Sequence, residues 1–143
     1  MGRSASNIAI ECALQTLPNF CFLGEEVKAN NWGLQELTKQ LVDMIEARYN
    51  NQNKNYGVVL LPEGLIEFIP EFEKLIGELN ELGESLGDNA APGDVAAKLT
   101  PENKALFEYL PLFLQKQLLM DRDPHGNVQV AKIETEKLLA ATV

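Results

Sequence analysis

Glu63 stands between Pro62 and Gly64 at the end of the apolar run Val58–Leu61, and Glu25 and Glu26 follow Gly24 at the end of a second run, Phe20–Leu23. Proline restricts the approach to Glu63 and glycine permits a sharp turn behind it, so the carboxylate is aimed rather than mobile. An ionised carboxylate accepts hydrogen bonds from ligand hydroxyls, which is the chemistry of sugar recognition. A solvated Glu that ends a strand has the same sequence, and these residues alone leave both readings open. Arg3 is the only basic side chain among the first 27 residues. It directly precedes a helical pattern, and a cation beside the outward amides of a helix start suits a phosphoryl group. The plainer alternative is a surface arginine.

Other polar clusters carry less chemistry. In "DRDPHGN", Asp121, Asp123 and Gly126 occupy positions one, three and six of a calcium loop. Pro124 then stands at position four, His125 at ligand position five and Lys132 at position twelve, which needs a bidentate Glu, so the segment reads as a polar turn. His125 is the single histidine and has no partner for metal binding or acid–base work. Cys12 and Cys21 lack metal spacing and lie in apolar segments, which predicts two reduced, buried thiols. No protein metal site is expected, and glycine-rich phosphate loops and nucleophile elbows are absent.

These side chains need a scaffold, and its pattern is that of an α/β layer. A helix from Ser4, capped by Ser4 or Ser6, carries Ile8, Cys12 and Leu14 with Ala5, Ala9 and Ala13, and Pro18 closes it. The runs Phe20–Leu23 and Val58–Leu61 are continuously apolar, as strands buried on both faces are. Between them, residues 34–49 form an amphipathic helix through Leu34, Leu37, Leu41, Met44 and Ile45, with a polar turn at 50–55. Strand, helix and strand in this order predict a parallel pair, whose ligand crevice lies beyond the strands' carboxyl ends. Both Glu63 and the Glu25–Glu26 pair fall there.

A further helix is expected from about Pro70 to Leu82, with Phe72, Leu75, Ile76 and Leu79 on one side. Residues 84–99 are small and polar and read as a loop. Thr100-Pro101-Glu102 opens a helix that Pro111 must bend or split, Val128–Ile133 alternates like a short strand, and Thr135 caps a last helix. The expected division is an α/β portion over 1–83 and a loop with a helical insertion over 84–143. A formal charge of −9 over 143 residues leaves no basic stripe for nucleic acid. No apolar run approaches the roughly 18 residues of a membrane helix, and no leader pattern opens the chain, so the cytoplasm is the expected location.

Taken in order, "MGRSASNIAIECALQT", "LGEEV", "NYGVVLLPEGLIEFIPE", "DRDPHGN" and "IETEKLL" resemble phosphofructokinases, specifically the long pyrophosphate-dependent kind, over nearly the whole chain. The resemblance implies a Rossmann-like, phosphofructokinase-type partial domain with a mostly helical insertion. It implies phosphoryl transfer from pyrophosphate to the 1-hydroxyl of fructose 6-phosphate in glycolysis, with magnesium, in a homo-oligomeric parent enzyme. Met1, Gly2 and Arg3 would contact the sugar phosphate, Arg3 could also stabilise the phosphoryl group in flight, and Glu63 would hold a sugar hydroxyl. The family's glycine-rich pyrophosphate site, its Asp base and its magnesium ligands would lie outside this segment, so the chain alone is expected to be inactive. An ATP-dependent relative and a non-catalytic sugar-phosphate-binding or regulatory subunit are the alternative readings.

Overall fold

The computed structural model describes residues 6–83, 92–120, 122 and 126–143. Helix α1 (Asn7–Thr16) ends where Leu17 turns into the left-handed region at φ 49°, just before Pro18 removes the next amide donor. Strand β1 (Phe20–Cys21) follows, then a short helix α2 (Gly24–Ala29), the long helix α3 (Leu34–Gln52) and strand β2 (Val59–Leu60). The strands pair in parallel, Phe20 opposite Val59 and Cys21 opposite Leu60. This is the direction that the apolar runs and the intervening helix predicted.

Both strands are only two residues long and half-buried, where four-residue strands buried on both faces were expected. The residues that flank them still bond across: Phe22 N donates to Leu60 O at 3.1 Å, and Asn19 ties both N and Oδ1 to Val58. Helical structure dominates the rest. A 3-10 turn (Leu65–Phe68) leads into α4 (Pro70–Gly83), and α5 (Pro92–Ala96), α6 (Pro101–Tyr109), α7 (Leu112–Met120) and α8 (Thr135–Thr142) follow. A small parallel pair within a mostly helical chain is consistent with a partial Rossmann-like domain carrying a helical insertion.

Pro111 splits α6 from α7 as its missing donor requires. Three other expectations on this side need correction. Part of the expected loop at 84–99 forms α5. Val128–Ile133 is not a strand: Val128 makes one isolated bridge to Arg122, and Val130–Lys132 is a 3-10 turn. Its buried residues are Val128, Val130 and Ile133, and the last step of three matches a 3-10 turn rather than a pleat. Thr135 is the first residue of α8 rather than its cap, and its hydroxyl bonds back to Ile133 O.

One apolar cluster joins Phe22 and Val27 to Leu65, Ile66, Ile69, Phe72, Leu75 and Leu79, and continues into Phe107, Leu114, Leu118 and Leu138. The stripe expected on α4 supplies its centre. By contrast, α1 buries only Ala9, while Ile8 and Leu14 stay 60% and 73% exposed. Cys12 is exposed and Cys21 half-buried, so the expectation of two buried thiols is corrected; partial burial pushes the Cys21 thiol up from its ordinary pKa. Among the described residues, no helix is long and apolar enough to cross a membrane.

Helix α4 contains an unneeded weak point. Gly77 sits in its exposed interior, and an added Cβ would meet nothing within 4 Å. Gly77→Ala should therefore raise stability by about 0.5–1 kcal/mol through lower unfolded-state entropy. Urea unfolding followed by circular dichroism checks this, and an unchanged or lowered midpoint contradicts it.

Candidate functional site at the carboxyl ends of the strands

Beyond β2 the chain makes a tight turn. Leu65 N donates to Pro62 O at 3.2 Å, and Gly64 lies at φ 81° and ψ 9°. These are the angles of the third residue in a type II turn, a position that favours glycine because its φ is positive. Glu63 is thereby the second residue, at the outer corner, between a buried Pro62 and a buried Gly64. Its exposure follows from the turn geometry. The next residues, Leu65 and Ile66, drop straight into the core and anchor the corner from behind.

Glu63 borders a cleft of about 230 Å³ whose other polar groups are Glu67, Asn80 and Asn127, with Ile76 and Val130 at its apolar base. Glu67 belongs to the 3-10 turn after Gly64, Asn80 to the last turns of α4, and Asn127 to the segment that leads into Val128. Asn80 Oδ1 accepts from Val128 N at 2.9 Å and from Arg122 Nη1 at 3.5 Å, and Arg122 Nη1 also donates to Gly126 O at 3.0 Å. The far wall is thus pinned to α4 by hydrogen bonds rather than by packing alone. Two carboxylates and two carboxamides suit hydroxyl groups, which both donate and accept. They disfavour a phosphate, so an anionic end of any ligand must lie outside this cleft.

The start of α1 lies at the carboxyl end of β1. Gly24 N donates to Ser6 Oγ at 2.8 Å, and Ser6 N donates to Glu25 Oε1 at 2.9 Å. Because β1 and β2 run in parallel, the beginning of α1 and the Glu63 corner each lie beside a strand's carboxyl end. Met1, Gly2 and Arg3 lie outside the described residues, as do the Ser4 alternative for the cap and Asp121, Asp123, Pro124 and His125 of the polar turn. Ser6 is the N-cap residue, yet its hydroxyl accepts from Gly24 instead of capping α1.

Glu25 therefore serves the fold rather than a ligand. The Ser6 amide bond, aided by the Ser6 side chain and by Glu25's own backbone amide, holds its carboxyl below the ordinary glutamate pKa. The Glu25–Glu26 pair, expected in the ligand crevice beyond a strand's carboxyl end, forms the acidic first turn of α2, where the helix dipole favours it. Glu67, Asn80 and Asn127 were missed. Asn80 did leave a trace, since it stands four residues after Ile76 at the rim of the apolar stripe, where a polar side chain faces outward beside the core.

Comparison with known proteins adds what geometry cannot. The chain is 55% identical over 144 residues to the pyrophosphate--fructose 6-phosphate 1-phosphotransferase subunit beta of Solanum tuberosum, covering 100% of this chain and 25% of that protein. The family matched is that of the pyrophosphate--fructose 6-phosphate 1-phosphotransferases. The subunit alpha of Solanum tuberosum is 45% identical over 143 residues, with 100% and 23% covered. The Porphyromonas gingivalis member of the family is 48% identical over 147 residues, with 98% and 27% covered. The chain spans about a quarter of the length of these curated relatives. No protein-family model matches it.

Magnesium, which the resemblance implies, finds no group of three or more His, Cys, Asp or Glu able to hold it among the described residues.

Proposed function

We propose that this chain forms part of a pyrophosphate-dependent 6-phosphofructokinase, a cytoplasmic, magnesium-using enzyme that transfers phosphoryl from pyrophosphate to the 1-hydroxyl of fructose 6-phosphate. Its contribution is half of the sugar-phosphate site. Identity of 55% and 48% over nearly all of this chain to proteins named pyrophosphate--fructose 6-phosphate 1-phosphotransferase, of which it spans about a quarter, carries this reading, and the Glu63 corner on a hydroxyl-suited cleft supports it. In this assignment Glu63 accepts a hydrogen bond from a sugar hydroxyl. Met1, Gly2 and Arg3 receive the 6-phosphate, and Arg3 offsets charge on the phosphoryl group as it moves. The acidic lining around Glu63 and Glu67 agrees with this division, because it leaves the phosphate to the basic segment that precedes α1.

No described residue is placed as a general base, so the chain alone binds without turning over. Calorimetric titration with fructose 6-phosphate tests the assignment. Replacing a charged acceptor by an amide removes about 1.5 kcal/mol or more of hydrogen bonding. Glu63→Gln should accordingly weaken binding roughly tenfold, with an unchanged unfolding midpoint because the side chain is exposed. Equal affinity for wild type and variant would remove Glu63 from the site. Steady pyrophosphate-dependent turnover by the pure chain would show that the inactive-segment proposal is wrong.

A further inference from the structure

The hydrogen bonds around Asn80 fix which end of its carboxamide the protein itself uses. Oδ1 accepts from two nitrogen donors, Val128 N and Arg122 Nη1. A flipped amide would set NH2 against both donors, so Nδ2 is the group left for a ligand. It has no hydrogen-bond partner among the described residues. Asn80 is half-buried and lines the same cleft as Glu63 and Glu67. The cleft is therefore lined by carboxylate acceptors and by a carboxamide whose oxygen is already engaged and whose amide donor is not.

A carboxylate alone tests only whether a ligand can donate. A hydroxyl is distinguished from an ammonium or amide N–H when the same oxygen also accepts, and that requires a fixed donor opposite the carboxylate. We propose that Asn80 is this donor: its Nδ2 reads a sugar hydroxyl whose own proton is given to Glu63 or Glu67, making Asn80 a specificity-determining residue for a polyhydroxylated ligand. This inference rests on the sugar-site reading above. It adds that the segment pinned to α4, and not the Glu63 corner alone, sets which ligand is accepted.

The test uses the whole chain, labelled with nitrogen-15, and fructose 6-phosphate as the probe. On titration, the Asn80 side-chain amide pair and the Gly64 backbone amide should shift together and saturate. Asn80→Asp keeps an oxygen for Val128 N and removes the donor. It should weaken binding at least tenfold while the Val128 amide keeps its protection from hydrogen exchange. Asn80→Ala, which loses both groups, should lower that protection as well. If Gly64 shifts and saturates but the Asn80 amide does not move and Asn80→Asp binds like wild type, the Asn80 proposal fails and the sugar site at Glu63 stands. If Asn80→Asp weakens binding only by releasing Val128, Asn80 is structural and the proposal fails. Absence of any saturable shift at millimolar sugar overturns both.

Discussion

Phe72→Ala should lower the stability of this chain by about 3–5 kcal/mol, the cost of truncating a fully buried aromatic side chain and leaving a cavity. Phe72 is 0% exposed, in the first turns of α4, within a cluster that also holds Leu65, Ile66 and Ile69 of the segment behind Glu63. Domains of this size are stable by roughly 5–15 kcal/mol, so the loss is a large part of the total. For a chain of this length it corresponds to a melting point lower by roughly 9–15 °C. The single tryptophan, Trp32, is half-buried against the same cluster and reports unfolding by its fluorescence. Ile45→Ala is the control. That side chain is 46% exposed, and its loss should stay within about 0.5 kcal/mol. A Phe72→Ala midpoint within that margin would mean that α4 does not support the cleft through the core.

Helix α4 was legible because its stripe is long: Phe72, Leu75, Ile76, Leu79 and Leu82 give the helical period over several turns, and Pro70 marks its start. The split at Pro111 was legible because a ring without an N–H has one structural consequence. Short elements gave no such purchase. Helix α2 has six residues and buries one apolar side chain, Val27, so no period could form, and its Glu25 and Glu26 read as strand-end acids. Val128–Ile133 alternates for its first residues, and only the position of Ile133 betrays the 3-10 turn.

The Glu63 corner was visible because Pro62 and Gly64 are backbone instructions written locally. Its partners Asn80 and Asn127 come from distant positions, and pairing of that kind depends on where α4 delivers its side chains. The apolar face of α1 shows a converse limit. Helical spacing identified Ile8 and Leu14 as one-sided, but spacing does not say whether a face is covered, and here they are largely exposed.

Gly24→Ala should destabilise the chain by about 1–3 kcal/mol and also weaken sugar binding, although Gly24 does not line the cleft. Gly24 is buried at the carboxyl end of β1, and a Cβ there would meet Phe68 Cδ2 and Cε2 at 2.5 Å. Real carbon contacts do not reach that distance, so the ring or the backbone must shift. Phe68 closes the 3-10 turn Leu65–Phe68, which begins directly after Gly64 and includes the cleft residue Glu67. Pushing the ring outward strains that turn and the Glu63 corner joined to it. On the other side, Gly24 N donates to Ser6 Oγ, so the same substitution also loosens the start of α1. Gly24, a position that tolerates no side chain, thus touches both the 3-10 turn behind Glu63 and Ser6 at the start of α1. The double variant Gly24→Ala with Phe68→Ala separates the causes: it removes the clash while keeping the Gly24 amide. If the clash is the mechanism, fructose 6-phosphate affinity should recover toward wild type even though the lost ring leaves stability low. Affinity as weak in the double variant as in Gly24→Ala would place the defect in the Ser6 contact instead.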